Sequence, residues 1–169
     1  AIMLETVQGE GGLTAARPEW VKRVAEIAKA HGALLIIDDI QAGCGRTGTF
    51  FSFEDMGVMP DIVTMAKSVS GFGLPMALML VRPQHDIFGP AEHNGTFRGN
   101  THAFVTARVA IEKFWADARF EDDIAAKAQL LDVVLGEMAE LVPGSRRKGR
   151  GMMQGLDVGS GELAAAICA

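Results

Sequence analysis

The stretch LLIIDDIQAGCGRTG occupies residues 34–48 and joins a run of aliphatic side chains to two acids and a glycine-rich segment. An aliphatic run that ends in Asp38 and Asp39 is typical of a strand buried on both faces of a parallel sheet. In such sheets, ligands bind just beyond the carboxyl ends of the strands. The stretch therefore predicts an α/β fold with a binding site close to Asp38.

Other apolar patterns extend this fold along the first half of the chain. Apolar runs predict strands at residues 2–7, 62–65 and 76–81. The two later runs have the same continuous aliphatic character, which again predicts parallel strands with both faces buried. Between the first two strands of the chain, apolar residues at helical spacing begin at Pro18 and end before Gly32. Strands that alternate with helices indicate a layered α/β domain.

The pattern changes beyond the middle of the chain. Helical spacing at residues 104–115 and 124–141 is followed by a strand-like run at residues 152–158. We expect these later elements to open a second, smaller domain. The predicted division is residues 1–116 and residues 117–169.

Composition excludes several classes of function. The chain has 169 residues and a net charge of −5, with 16 basic against 21 acidic residues, so we expect no nucleic-acid partner. No apolar run approaches the roughly 20 residues of a membrane span, and the start has no signal-peptide pattern. Cys44 and Cys168 lack metal-ligand spacing, which predicts free thiols, no metal site and a reducing, cytoplasmic location. Both ends resemble cut elements, so we expect a segment of a longer protein.

The segment GCGRTG, residues 43–48, has the spelling G-x-G-x-x-G of a dinucleotide-binding turn. That turn needs its first glycine directly after a strand and its last glycine at the start of a helix. Here residues 38–42 intervene, and residues 49–53 have poor helical periodicity. A P-loop would need G-x-x-x-x-G-K-[ST], which the chain lacks. A nucleotide-binding module remains a weak alternative.

A lysine gives the acids a chemical context. Lys67 directly follows a predicted strand, so it and Asp38 lie at carboxyl ends that face one cleft. Apolar surroundings lower the pKa of a lysine, and the neutral amine can attack an aldehyde. An opposing acid suits pyridoxal-phosphate chemistry, with Gln41 near the ring oxygen and Thr96 near the phosphate. Taken alone, each residue is more often structural, for example a turn-capping Asp38 or a solvated Lys67.

Together these residues resemble a known family. IIDDIQAGCGRTG is similar to the D-E-x-Q-x-G-x-G-R-T-G signature of class III pyridoxal-phosphate aminotransferases, and LETVQGEGG is similar to their V-E-P-x-Q-G-E-G-G segment. The resemblance covers essentially the whole chain. It implies a fold-type I transferase: residues 1–116 would be the C-terminal half of a three-layer αβα large domain that binds pyridoxal 5'-phosphate. Residues 117–169 would begin an α+β C-terminal domain.

The resemblance also implies a role for each site residue. Lys67 matches the lysine that binds the cofactor covalently, Asp38 the partner of the pyridine nitrogen, and Gln41 the partner of the ring hydroxyl. Thr96 matches the threonine that binds the phosphate of the neighbouring subunit's cofactor, which implies a homo-oligomer that is at least a dimer. Glu10 matches an acid that gates substrates in ornithine-type members.

Two positions depart from the family pattern. Asp39 stands where the family usually has glutamate, and Thr6 stands where proline is common. The shorter acid should still support the site through hydrogen bonds.

Within the family, EHNGTFRGNTHAFVTA, residues 92–107, resembles the members that move the amino group of glutamate onto aspartate 4-semialdehyde, the first step of ectoine synthesis. Ornithine, acetylornithine and 4-aminobutyrate aminotransferases remain open, as do racemases, aminomutases and decarboxylases of the same architecture. The family's main phosphate-binding segment, ring-stacking aromatic residue and substrate arginine have no match here. We therefore expect these 169 residues alone to be inactive.

Overall fold

The first half of the chain forms one mixed sheet. A computed structural model describes residues 1–95 and 98–169. The strands of this sheet lie side by side in chain order: β1 (Ile2–Leu4), β2 (Leu35–Asp38), β3 (Ile62–Ala66) and β4 (Ala77–Val81). β1, β2 and β3 run parallel to one another, whereas β4 runs antiparallel to β3.

The predicted α/β class is confirmed, but the prediction of a third parallel strand at residues 76–81 is wrong. A parallel neighbour needs a crossover connection of a dozen or more residues. Residues 67–76, which join β3 to β4, contain only the short 3-10 turn Lys67–Ser70. The chain therefore returns in the opposite direction.

One face of the sheet carries the core of this half. Buried and half-buried residues alternate along β2 and β3, so burial on both faces was also a wrong prediction for the described residues. The buried face packs against α1 (Pro18–Ala30) and the residues after the glycine segment. The core comprises Val21, Leu35, Ile37, Phe53, Met56, Val63, Met65 and Val69. Asp38 lies on the other, half-buried face, because side chains alternate along a strand.

The second half consists of helices and a hairpin. The described elements are α2 (Thr101–Phe114), α3 (Arg119–Leu141), the antiparallel strands β5 (Arg146–Arg150) and β6 (Met153–Asp157), and α4 (Gly161–Cys168). Asn100 caps α2, and its side chain accepts the N–H of Ala103 at 3.3 Å. The sequence predicted both long helices and β6 but missed β5, whose basic residues RRKGR have no apolar pattern.

The hairpin packs onto the glycine segment of the first half. Met153 is buried with Val7 and Ala42. The N–H of Met152 donates to the carbonyl oxygen of Arg46 at 2.9 Å. The division at residues 116 and 117 stays a prediction. Among the helices of the described residues, none has both the length and the apolar character needed to cross a bilayer.

Candidate active site

Asp38 and Lys67 lie at the carboxyl ends of two neighbouring parallel strands, at the same end of the sheet. Asp38 ends β2 and is in register with Thr64 on the parallel strand β3, and Lys67 comes three residues after Thr64. A rise of about 3.3 Å per residue and a strand spacing of about 4.8 Å place the two Cα atoms about 11 Å apart. This separation leaves room for a small ring between the two side chains.

Lys67 stands on a left-handed turn. If β3 continued, the alternation of its side chains would direct Lys67 to the buried face, beside Val63 and Met65. Instead, Lys67 has a φ of 55° and an exposed side chain. This conformation costs a non-glycine residue roughly 1–2 kcal/mol, and such strain is concentrated at functional sites. The turn therefore aims the amine away from the core.

The turn after Lys67 is held by α2. Gly71 has a φ of 73°, and a Cβ at this position would lie 2.5 Å from the Cβ of Ala110 and 2.9 Å from the carbonyl oxygen of Thr106. Lys67, Ser68 and the segment 71–75 line a cavity of about 570 Å³, and Asp38 is not among its lining residues. A larger cavity of about 690 Å³ lies at the opposite edge of the sheet, beside Asp61, away from this pair.

The carboxylate of Asp38 has a fixed orientation. Its Oδ1 accepts the N–H of Ile40 at 3.0 Å, which is the turn-capping role considered for this residue. Capping occupies one of the two oxygens and leaves the cofactor role possible. The neighbouring hydroxyl Oγ1 of Thr64 is buried and has no hydrogen-bond partner among the described residues. Because a buried polar atom normally has a partner, this hydroxyl is consistent with a polar ligand beside Asp38.

Gln41 and Glu10 are brought together. The Gln41 Nε2 donates to Glu10 Oε1 at 3.4 Å. Glu5 holds the preceding loop, since its Oε2 accepts the N–H of Gly9 at 2.8 Å. A Cβ at Gly9 would lie 2.5 Å from the amide of Gln41, so a larger residue there would displace this side chain. The predicted gating acid therefore contacts the predicted partner of the cofactor's ring hydroxyl. Thr96 lies outside the described residues.

Asp39 is a buried acid that the sequence identified, but its contacts with Ser52 and Arg150 were not predicted. Its side chain is 1% exposed and accepts hydrogen bonds from the backbone N–H and the hydroxyl of Ser52. Burial raises the pKa of the Asp39 carboxyl, although the hydrogen bonds from Ser52 and the charge of Arg150 act in the opposite direction. Ser52 and Arg150 were missed because neither belongs to a motif or a periodic pattern.

The glycine segment itself is a closed turn. The N–H groups of Cys44 and Gly45 donate to the carbonyl oxygens of Phe50 and Thr49 at 2.7 and 3.0 Å. No helix begins at Gly48 in this described stretch, which removes the geometry that a dinucleotide-binding turn requires. The guanidinium of Arg46 leaves the turn and donates to the Ser68 hydroxyl at 3.1 Å, next to Lys67.

Comparison with known proteins agrees with this geometry. The family model described as "Aminotransferase class-III" matches residues 1–168. The chain belongs to the class III aminotransferases. This membership confirms the resemblance of the DDIQ and glycine motifs, and with it the fold-type I architecture.

Three similar proteins illustrate the family. A diaminobutyrate–2-oxoglutarate transaminase of Vibrio parahaemolyticus serotype O3:K6 is 54% identical over 99% of this chain and 40% of its own length. The N-acetylornithine aminotransferase of Stenotrophomonas maltophilia K279a is 37% identical, with a TM-score of 0.73 over 88% of this chain and 38% of the other. An ornithine aminotransferase of Toxoplasma gondii, described with partial occupancy of PLP at its active site, is 32% identical. Its TM-score is 0.79 over 88% of this chain and 36% of its own. The chain thus spans about two fifths of the length of the curated relatives it matches.

Proposed function

We propose that the whole protein is a pyridoxal-phosphate-dependent aminotransferase. It would move the amino group of glutamate onto the aldehyde of aspartate 4-semialdehyde, giving 2,4-diaminobutyrate and 2-oxoglutarate. The observation that supports the chemistry is that Lys67 and Asp38 lie beyond the carboxyl ends of neighbouring parallel strands, at the same end of the sheet. The choice of substrates is supported by the 54% identical diaminobutyrate–2-oxoglutarate transaminase.

The residues present fit this cofactor. An exposed amine suits the cofactor's aldehyde, and a half-buried carboxylate suits a protonated ring nitrogen. Thr64, in register with Asp38, has a buried hydroxyl without a hydrogen-bond partner among the described residues. When bound, pyridoxal phosphate supplies an electron sink that stabilises negative charge on the substrate carbon. The matching relative from Toxoplasma gondii is described with this cofactor at its active site.

Lys67 and Asp38 have distinct tasks in this proposal. Lys67 would hold the cofactor covalently between reactions. Once freed, its amine would take a proton from the substrate carbon as a base and pass that proton on as an acid. Asp38 keeps the ring nitrogen protonated by placing a negative charge next to it.

Three further residues complete the proposed site. Gln41 would bind the ring hydroxyl, and its contact with Glu10 makes that acid a candidate gate for the substrate's charged end. Thr96 would bind the phosphate of the cofactor in the neighbouring subunit, so we expect a homo-oligomer, at least a dimer. We also place the protein in the cytoplasm, because its two free cysteines suit a reducing compartment.

A substrate screen tests this proposal. The whole protein is incubated with glutamate as amino donor. The release of 2-oxoglutarate and the formation of pyridoxamine phosphate are then measured. Aspartate 4-semialdehyde, glutamate 5-semialdehyde and succinate semialdehyde are then compared as acceptors. We expect the highest kcat/KM with aspartate 4-semialdehyde.

Other outcomes identify the rivals. A preference for glutamate 5-semialdehyde would indicate an ornithine-type enzyme, the activity named for the relative from Toxoplasma gondii. Cofactor binding without any pyridoxamine phosphate from an amino donor would instead indicate a racemase, aminomutase or decarboxylase.

A further inference from the structure

Three buried polar side chains from separate segments meet next to Asp38. Thr6 and Ser52 are 0% exposed, and Asp39 is 1% exposed. The Thr6 hydroxyl donates to Ser52 Oγ at 2.6 Å, and the Ser52 hydroxyl donates in turn to Asp39 Oδ1. The Ser52 N–H donates to the other carboxylate oxygen at 3.2 Å. With Asp39 ionised, the direction of this chain is fixed, because a carboxylate only accepts hydrogen bonds.

The backbone of Asp39 is held as firmly as its side chain. Its N–H donates to the carbonyl oxygen of Thr64 at 2.9 Å, and its carbonyl oxygen accepts the N–H of Gly43 at 3.1 Å. Asp38 precedes this anchored residue, and Gln41 follows in the turn that Asp39 begins. Fixing Asp39 therefore fixes the backbone that carries both side chains proposed to contact the cofactor ring.

The space around Asp39 matches its length. A Cβ at Gly43 would lie only 2.5 Å from Asp39 Oδ2, so the glycine leaves the space that this carboxylate occupies. Ser52 joins Thr6, which lies on the segment after β1, to Asp39 at the end of β2. A proline at position 6 could not donate the hydrogen bond to Ser52.

We propose that Thr6 and Ser52 are positioning residues that act through Asp39 on Asp38 and Gln41. The inference rests on the proposed function, since its readout is the bound cofactor. Without the Thr6 hydroxyl, the buried Ser52 oxygen loses its donor, and the hydroxyl keeps only the hydrogen bond to Asp39 to fix its position. The turn at residues 38–43 then becomes less well ordered around the cofactor ring.

The test uses Thr6→Val in the whole protein, which keeps the shape of the side chain and removes the hydroxyl. We expect the Kd for pyridoxal phosphate to rise about twofold to tenfold, as for one lost hydrogen bond. The visible circular dichroism of the bound cofactor should fall, because its surroundings are less fixed. Thr6→Ser should restore both values. Ser145→Ala is the control, since that part-buried hydroxyl donates to the backbone oxygen of Ala139 away from the site and its loss should leave both values unchanged.

Ser52→Ala provides a second, independent variant should Thr6→Val fail to fold. It should change both readouts in the same direction, and the double variant should be no worse than Ser52→Ala alone, because Thr6 acts through Ser52. Additive effects, or an unchanged Kd and dichroism in both single variants, would overturn this inference alone. Failure of the unsubstituted protein to bind pyridoxal phosphate would overturn the proposed function as well.

Discussion

The acid end and the lysine end of the site are built in opposite ways. Asp38 is oriented by Ile40 and adjoins Asp39, which is 1% exposed and held through backbone and side chain. Lys67 is exposed on a left-handed turn and lines an open cavity. An acid that serves one ring atom needs a single position, whereas an amine that binds, leaves and carries protons needs room to move. The contrast therefore matches the tasks proposed for the two residues.

The largest expected effect comes from removing the amine of Lys67. Lys67→Ala should lower transamination more than about 10³-fold, because covalent binding and proton transfer both depend on the amine. Cofactor should bind only non-covalently, which borohydride reduction followed by mass spectrometry measures. Lys22→Ala, an exposed lysine on α1, is the control and should behave as the unsubstituted protein. Cofactor still fixed to the Lys67→Ala protein would contradict the assignment of the lysine.

Removing the charge at the fixed end should cost less. Asp38→Asn keeps an oxygen for the N–H of Ile40 and loses the negative charge. We expect kcat to fall about 10²–10³-fold, as when one preorganised electrostatic contact is lost, with little change in Tm. Asp86→Asn, at an exposed acid elsewhere, should leave kcat unchanged. A fall in Tm that accounts for the lost activity would assign Asp38 to structure instead.

A third change tests whether α2 supports the lysine turn. Gly71→Ala should reduce the free energy of unfolding by about 2–4 kcal/mol, because the new methyl meets Ala110 and the φ of 73° is strained. Gly73→Ala is the matched control: its φ is 76°, but no atom of the described residues lies within 4 Å of the added Cβ. It should cost about 1 kcal/mol. Equal losses in chemical unfolding would mean that contact with α2 contributes nothing.

The smallest expected effect is a dependence on pH at Cys44, beside the acid end. Burial and the charge of Asp39 raise the pKa of its thiol from 9.0 to about 11, against the opposing charge of Arg46. A raised pKa in the folded state gives stability that is present below pH 9 and is lost as the pH rises to about 11. Over this pH range, Cys44→Ala should lose about 1 kcal/mol less unfolding free energy than the unsubstituted protein. The difference is modest because the Cys44 side chain is only half-buried. Identical urea midpoint shifts between pH 8 and pH 10.5 in both proteins would contradict the raised pKa.

Local patterns were enough to predict much of the fold. The run before Asp38, the proline at the start of α1 and the aliphatic residues before Lys67 each determine an element through neighbouring residues. The direction of β4 could not be predicted this way, since a hydrophobic run is equally compatible with either direction. The basic strand β5 is stabilised by pairing with β6 rather than by its own composition.

The residues of the candidate site also fall into two groups, those that the sequence predicts and those that it does not. Asp38, Gln41, Lys67 and Glu10 stand in motifs that can be read from the sequence, and the structure gathers the first three at one edge of the sheet or in the turn beyond it. Ser52 and Arg150 contribute through contacts with distant segments, which periodicity and spacing do not encode. Their importance is visible only once the chain is folded.

The Arg150 guanidinium donates to the carbonyl oxygen of Ser52 across 98 positions of the chain. A ribosome that adds about 5–20 residues per second needs roughly 5–20 s to make that stretch. During this interval, the nascent loop around Asp39 and Ser52 lacks the contact with Arg150. Synthesis that stalls before residue 150 should therefore release a chain in which this loop is more open to proteases.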